Sequence, residues 1–146
     1  MLTALFDIDG TLAKIDHRRP LVVGKKPDWK TFNSLMGDDV PNEPIVDLYR
    51  ALWETKRYEL ILVSGRGEEF RSVTETWLTW NLIPFGKLLM RPQGDFRSDV
   101  EIKQEILDGL LSEGKTISFV VDDRDSVVEM WRRNNITCLQ CAEGDF

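Results

Sequence analysis

Histidine occurs once, as His17, and cysteine twice, as Cys138 and Cys141. A structural zinc site ordinarily takes four ligands, and the single histidine is remote in sequence from the cysteine pair, so no zinc site is expected. A redox C-x-x-C opens a helix, whereas Ile136-Thr137-Cys138-Leu139-Gln140 reads as a strand, and the pair is expected to carry no chemistry. No apolar run approaches the ~20 residues that span a bilayer, so no membrane segment is expected. The start, Met1-Leu2-Thr3-Ala4-Leu5-Phe6-Asp7, lacks a basic leader and meets an acid at once, which reads as a cytoplasmic protein without a signal peptide. Positive charge is in deficit: the net charge is −6, which argues against a broad nucleic-acid-coating surface. Internal repeats and low-complexity tracts are absent as well.

What is present is an ordinary globular composition, 42% hydrophobic and 30% charged over 146 residues, enough for one domain with a real core. Apolar runs at Leu2–Phe6, Tyr58–Val63, Lys87–Met90, Thr116–Val121 and Ile136–Gln140 read as strands. Helical periodicity falls between them. Pro44 to Lys56 carries Ile45, Leu48 and Leu52 on one face, with Pro44 in the first turn. Glu68 to Trp80 carries Phe70, Val73, Trp77 and Trp80. Ser98 to Leu111 carries Ile106, Leu107, Leu110 and Leu111. Ser126 to Asn134 opens with capping-box spacing at Ser126 and Glu129. Lys14–Asn42, with three prolines and two glycines, reads as loop with short elements. Alternating strands and helices predict a three-layer, Rossmann-like α/β fold, a parallel sheet flanked by helices. About fifty residues separate Asp9 from the second strand, too few for a large cap domain. Residues 12–42 would form at most a flap or small lid on a single domain spanning 1–146.

Parallel sheets bind ligands beyond the carboxyl ends of their strands, here just after Phe6, Val63 and Val121. Asp7-Ile8-Asp9-Gly10-Thr11 follows the first. Two crowded carboxylates repel unless a cation neutralises them or one is protonated, and Gly10 lets the chain turn away. Asp122-Asp123 follows the third. Four carboxylates at one rim suit a hard cation, and Mg²⁺ favours carboxylates, waters and a phosphate. The second junction, Ser64-Gly65-Arg66, supplies a hydroxyl, an approachable backbone N–H and a guanidinium, all suited to an oxyanion. Lys103 lies on the apolar side of its helix and needs an anionic partner; Asp99 is one option and a bound phosphate another. Each piece has a bland alternative. Asp9-Gly10 could be a plain turn, Asp122-Asp123 could serve a helix N-terminus, and Lys103 could snorkel to water.

Acid pair, hydroxyl, lysine and acid pair, in that order, resemble the four motifs of the haloacid-dehalogenase superfamily. The resemblance extends to the 3′-phosphatase domain of phage-type polynucleotide kinase-phosphatases. It runs through DIDGTLAK (7–14), VSGR (63–66), RPQGDFR…VEIKQEI (91–106) and VVDDRDSVVEMWRRNNITCLQCAEGDF (120–146). Residues 20–44 match poorly, and no G-x-x-x-x-G-K-[ST] phosphate loop is present, so the chain looks like the phosphatase module standing alone. The resemblance implies Asp7 as the nucleophile that becomes an aspartyl-phosphate, and Asp9 as the general acid and then base. It implies Mg²⁺ held by Asp7, the Asp9 carbonyl and Asp122, with Asp123 helping through water. Ser64 and Lys103 would bind phosphate oxygens, and Thr11, Arg18, Gly65, Arg66 and Asp99 would complete the substrate site.

For the substrate, the resemblance implies 3′-phosphorylated DNA or RNA ends, with a separate kinase or ligase as a possible partner. Between Leu12 and Lys30 six cations face two acids, a basic mouth suited to a chain end, or else a solvated loop. Trp29 or Phe32 could stack on a base, or serve as anchors. The alternatives are a phosphatase of small metabolites such as mononucleotides, and a non-catalytic binding module that has kept the fold. Trp53 is left between an interface and the core.

Overall fold

The computed structural model describes residues 1–146. Five parallel strands form one sheet: β1 (Leu2–Phe6), β4 (Tyr58–Gly67), β5 (Lys87–Arg91), β6 (Ile117–Asp122) and β7 (Cys138–Gln140), in the order β5-β4-β1-β6-β7. From β1 the chain moves outward to β4 and β5, then returns to the far side of β1 to lay down β6 and β7. The order therefore reverses between β1 and β6, where such sheets open a ligand crevice.

Side chains alternate across a strand, and both faces of this sheet are covered. Ala4, Phe6, Leu60, Leu62, Leu88, Met90 and Val121 point into one core. Helices α2 (Glu43–Thr55) and α3 (Arg71–Trp80) close that core with Val46, Tyr49, Trp77 and Leu78. Leu5, Ile61, Val63 and Val120 point the other way, against α4 (Asp99–Ser112) and α5 (Asp125–Arg133), which contribute Leu107, Leu110, Val127, Val128, Met130 and Trp131. Coverage on both faces explains why the inner strands read as continuous apolar runs. The Tyr49 ring meets Phe6 edge-on at 5.1 Å and its hydroxyl donates to the Pro84 carbonyl at 2.7 Å, tying α2 to the chain entering β5. Trp53 stacks on Tyr49 at 6.2 Å and belongs to the core margin.

Element types agree with the sequence, but several helix faces turn differently. In α2 the buried residues are Val46 and Tyr49, while Leu48 is exposed. Trp80 is 84% exposed because the α3 stripe runs through Thr74, Trp77 and Leu78. Leu111 is exposed as well. Arg124 rather than Ser126 holds the N-cap position of α5, and no side chain caps that helix. The capping box stands at α4 instead, where Ser98 Oγ and the Glu101 carboxylate each accept the other's backbone N–H at 3.3 Å.

No separate cap domain sits above the sheet. The 12–42 stretch contains β2 (Ala13–Lys14) paired antiparallel with β3 (Val40–Pro41), and a short helix α1 (Trp29–Ser34) capped by Asp28, whose carboxylate accepts the Thr31 N–H at 3.1 Å. Leu12, Ala13, Ile15, Phe32 and Met36 bury their side chains and pin this stretch down. No helix is long and apolar enough to cross a membrane.

Candidate active site

The carboxyl ends of β1, β4 and β6 open into a cavity of about 920 Å³, which Asp7, Asp9, Arg19, Arg66, Lys103, Asp122 and Asp123 help to line. Asp7 sits one residue past β1, where its backbone N–H donates to the Val121 carbonyl at 3.0 Å. That bond locks the ends of β1 and β6 together and brings residues 7 and 122 side by side. Oxygens of Asp7, Asp122 and Asp123 lie within 4.8 Å of one another.

Lys103 reaches this cluster from α4. Its ammonium donates to Asp7 Oδ1 at 2.8 Å and Asp122 Oδ2 at 3.0 Å, with only 3% of the residue exposed. These two acids are its hydrogen-bonded partners. Asp99 instead pairs with Arg91 at 2.5 Å and Arg124 at 3.0 Å. Asp122 is further fixed by the Trp131 indole N–H at 3.2 Å and the Asp123 N–H at 2.8 Å, and Thr11 Oγ1 donates to Asp7 Oδ2 at 3.1 Å. Burial and the charge of Asp122 raise the Asp7 carboxyl well above the ordinary range, although Lys103 opposes them. Burial, then Asp122, pushes Asp123 up to about 6.

Three carboxylates thus face one ammonium and, 3.9 Å from Asp123 Oδ2, one guanidinium nitrogen of Arg19, and Asp123 Oδ2 is buried without a hydrogen-bond partner. An all-oxygen set with surplus negative charge and an orphaned carboxylate oxygen fits a hard divalent cation, held by Asp7, Asp122 and Asp123. Gly10 belongs to the same construction. Its φ is +82°, and a Cβ there would lie 2.0 Å from Asp123 Oδ2. Gly10→Ala should therefore cost about 1 kcal/mol or more in backbone strain and push the Asp123 carboxylate out of line. The expected result is a melting point lower by a few degrees and weaker binding of a divalent cation, read as a smaller rise in melting point when Mg²⁺ is added.

The carboxylate of Asp9 stands outside the three-acid cluster. Its Oδ1 accepts from Arg18 Nη2 at 2.9 Å, and from Arg66 Nε at 3.0 Å and Nη2 at 2.6 Å. Burial alone would raise this carboxyl, but Arg66 and Arg18 outweigh it and hold Asp9 below the usual range. Behind it lies Asp39, which the sequence reading did not single out. Asp39 takes Arg18 Nε at 2.7 Å, Arg18 Nη2 at 2.8 Å, Arg66 Nη2 at 3.0 Å and His17 Nε2 at 2.7 Å. Trp77 Nε1 binds its main-chain carbonyl at 2.8 Å. The available signal was charge balance: two arginines destined for burial need more than the one carboxylate of Asp9.

Ser64 is buried within β4, which runs on to Gly67, and does not line the cavity; its Oγ accepts the Arg66 N–H at 3.1 Å. Gly65 is there for room, since a Cβ would come 2.6 Å from Asp99 Oδ1. Phe32 is buried beneath the Arg18 guanidinium at 4.3 Å, so its ring is not free for a base, whereas Trp29 is 56% exposed at the cavity wall. Phe96 and Phe146, which fall in the matched segments but were given no role of their own, line the same cavity. The cysteines are free thiols. Burial pushes Cys138 up to about 12 and Cys141 to about 11, far from thiolate chemistry at neutral pH.

The family described as polynucleotide kinase PNKP phosphatase domain matches residues 2–146. A chain in the structure of the Pnkp1/Rnl/Hen1 RNA repair complex superposes with a TM-score of 0.84 at 32% identity, over 99% of this chain and 43% of that one. A protein of Autographa californica nuclear polyhedrosis virus, named "putative bifunctional polynucleotide kinase/RNA ligase", is 25% identical over 129 residues, 88% of this chain and 17% of its own. The chain thus spans less than half the length of either relative. A haloacid dehalogenase-like hydrolase from Streptococcus pneumoniae shares the fold, with a TM-score of 0.64 at 14% identity over 95% of this chain and 84% of that one. A match that runs almost from end to end settles the family: the chain belongs to the haloacid-dehalogenase-type phosphatase domains of polynucleotide kinase PNKP.

Proposed function

We propose that this phosphatase domain removes terminal 3′-phosphates from RNA or DNA ends, using Mg²⁺ and an aspartyl-phosphate formed on Asp7. The observation that carries the reading is the Asp7 carboxylate, 6% exposed on the floor of an open cavity and held by Lys103 and Thr11 with one face toward the cavity. A nucleophile must be fixed within reach of the phosphorus and aimed along the line of attack, and the two contacts, one to each carboxylate oxygen, support that role by holding Asp7 still. Asp7, Asp122 and Asp123 are the residues that would hold Mg²⁺, which when bound offsets carboxylate charge that would otherwise repel the phosphate.

Asp7 Oδ attacks phosphorus, and the bond to the leaving 3′ oxygen breaks. Asp9 gives that oxygen its proton and then takes one from the water that hydrolyses the aspartyl-phosphate, releasing inorganic phosphate and restoring Asp7. Since Asp9 is clamped as an anion by Arg66 and Arg18, its turn as proton donor requires its carboxyl to swing out of that clamp and take up a proton from solvent once substrate binds. Ser64 and Lys103 meet the charge of the transferring group. Arg18 and Arg66 support this step through Asp9, and Asp99 through Arg91 and Arg124, whose side chains line the cavity.

The polynucleotide assignment is supported by the company this family keeps: its relatives include a chain of an RNA repair complex and a viral kinase/ligase. The same company supports a kinase or ligase acting beside this domain, as a separate partner. Phosphate release with Mg²⁺ should be at least tenfold faster from a 3′-phosphorylated oligonucleotide than from its 5′-phosphorylated counterpart or a free mononucleotide. Equal rates on all three would remove the substrate assignment and leave a general phosphatase.

A further inference from the structure

Resting on that reading, we infer that Arg19 is the residue that selects a polynucleotide over a lone mononucleotide, by gripping the phosphodiester next to the terminal nucleotide. Arg18 and Arg19 are adjacent, yet the fold gives them opposite duties. Arg18 is fully buried and committed to Asp9 and Asp39. Arg19 lines the cavity and makes no hydrogen bond through its guanidinium. The closest acids to it are the exposed Asp16 at 4.0 Å and Asp123 Oδ2 at 3.9 Å, and its Nε is buried with no partner. A shielded, unpartnered donor on a cationic group is costly, so this guanidinium is held where the protein itself leaves its hydrogen-bonding capacity unused.

The guanidinium is nevertheless held still. It stacks 4.3 Å over the Phe146 ring, and Arg124 lies 5.3 Å from the same ring. Stacking occupies a face of the guanidinium and leaves its Nη groups, which make no hydrogen bond, to meet an oxyanion. Phe146 is itself anchored. Arg124 Nε donates to its carbonyl at 2.9 Å, and the Asp125 N–H donates to the Gly144 carbonyl at 2.7 Å. A Cβ on Gly144 would lie 2.0 Å from the Asp123 carbonyl, so only glycine lets this tail lie against the end of β6. Gly144-Asp145-Phe146 thus serves as a brace for Arg19.

Depth distinguishes the two phosphates that Arg19 could bind. The phosphate under attack lies at Asp7 and Lys103, where exposure is 6% and 3%. Arg19 and Phe146 stand at the rim, with 28% of the Arg19 side chain and 42% of Phe146 exposed. One nucleotide further out along a bound strand, the next phosphodiester meets that rim.

The test compares kcat/KM for a 3′-phosphorylated trinucleotide with that for a 3′-mononucleotide. In Arg19→Gln the ratio of the two should fall about tenfold, the worth of a charged hydrogen bond, mostly through KM of the trinucleotide. Arg19→Lys should restore part of it, and Phe146→Leu should lower the ratio less than Arg19→Gln does. In the wild-type protein, a neutral methylphosphonate at the linkage beside the terminal nucleotide should impose the same penalty, and should impose none in Arg19→Gln. An equal loss on both substrates would place Arg19 on the terminal phosphate and overturn the inference, as would no loss at all. The methylphosphonate arm needs no variant, so absence of its penalty overturns the inference even if Arg19→Gln fails to fold. Inactivity of the wild-type protein on every 3′-phosphorylated oligonucleotide would instead remove the substrate reading.

Discussion

Asp7→Asn should reduce phosphate release by about 10⁴-fold or more, with the folded structure intact. The amide keeps the shape of the carboxylate but loses the charge that attacks phosphorus. Its effect on stability should be opposite in sign to its effect on activity. Oxygens of Asp7, Asp122 and Asp123 lie within 4.8 Å of one another with one ammonium between two of them, so in metal-free buffer the acids repel. Removing one charge relieves that repulsion while Lys103 keeps Asp122. In EDTA the variant should melt at the same temperature as the wild type or higher. Adding Mg²⁺ should raise the wild-type melting temperature by mass action and raise the variant's less. Scanning fluorimetry with and without the ion, beside a phosphate-release assay, measures both. An Asp7→Asn protein that keeps substantial activity would mean that another group is the nucleophile.

The chemistry at the strand ends was readable because each apolar run breaks at an acid or a hydroxyl: Phe6 into Asp7, Val63 into Ser64, Val121 into Asp122. A parallel sheet turns those breaks into one rim, and the structure brings Asp7 and Asp122 to the cavity, while Gly65 and Arg66 rather than the buried Ser64 line it from β4. Helix rotation was less readable. Leu48, Trp80 and Leu111 fit an apolar stripe by spacing, but the stripe that wins is the one facing the sheet, and sequence periodicity does not locate the sheet. Least readable was the Arg18–Asp39–Arg66 group. Asp39 lies 21 positions from Arg18 and 27 from Arg66, within a stretch without clean periodicity, so nothing local marks it. The same blindness hides the division of labour between Arg18 and Arg19, since burial decides it.

Asp39→Ala is the substitution expected to damage the fold most. The Asp39 carboxylate is fully buried and shared by two buried arginines, whose side chains are 0% and 1% exposed. A buried pair contributes little net stability when whole, because desolvation offsets attraction, but breaking it strands a charge at a cost of about 3–5 kcal/mol. Here Asp9 remains for both guanidiniums, through a single oxygen, which fills only part of the gap. A loss of that size corresponds to a fall in melting temperature on the order of 10 °C for a chain of this length. The neighbouring exposed Asp38→Ala should change it by no more than about 1 °C. Activity should fall as well, because Arg18 and Arg66 position Asp9, and the defect should persist below the melting transition. Thermal melts of the two variants alongside single-turnover rates separate the effects. If Asp39→Ala melts like the wild type, this carboxylate is not what holds the arginines in place, and the support assigned to Asp9 would have to come from elsewhere.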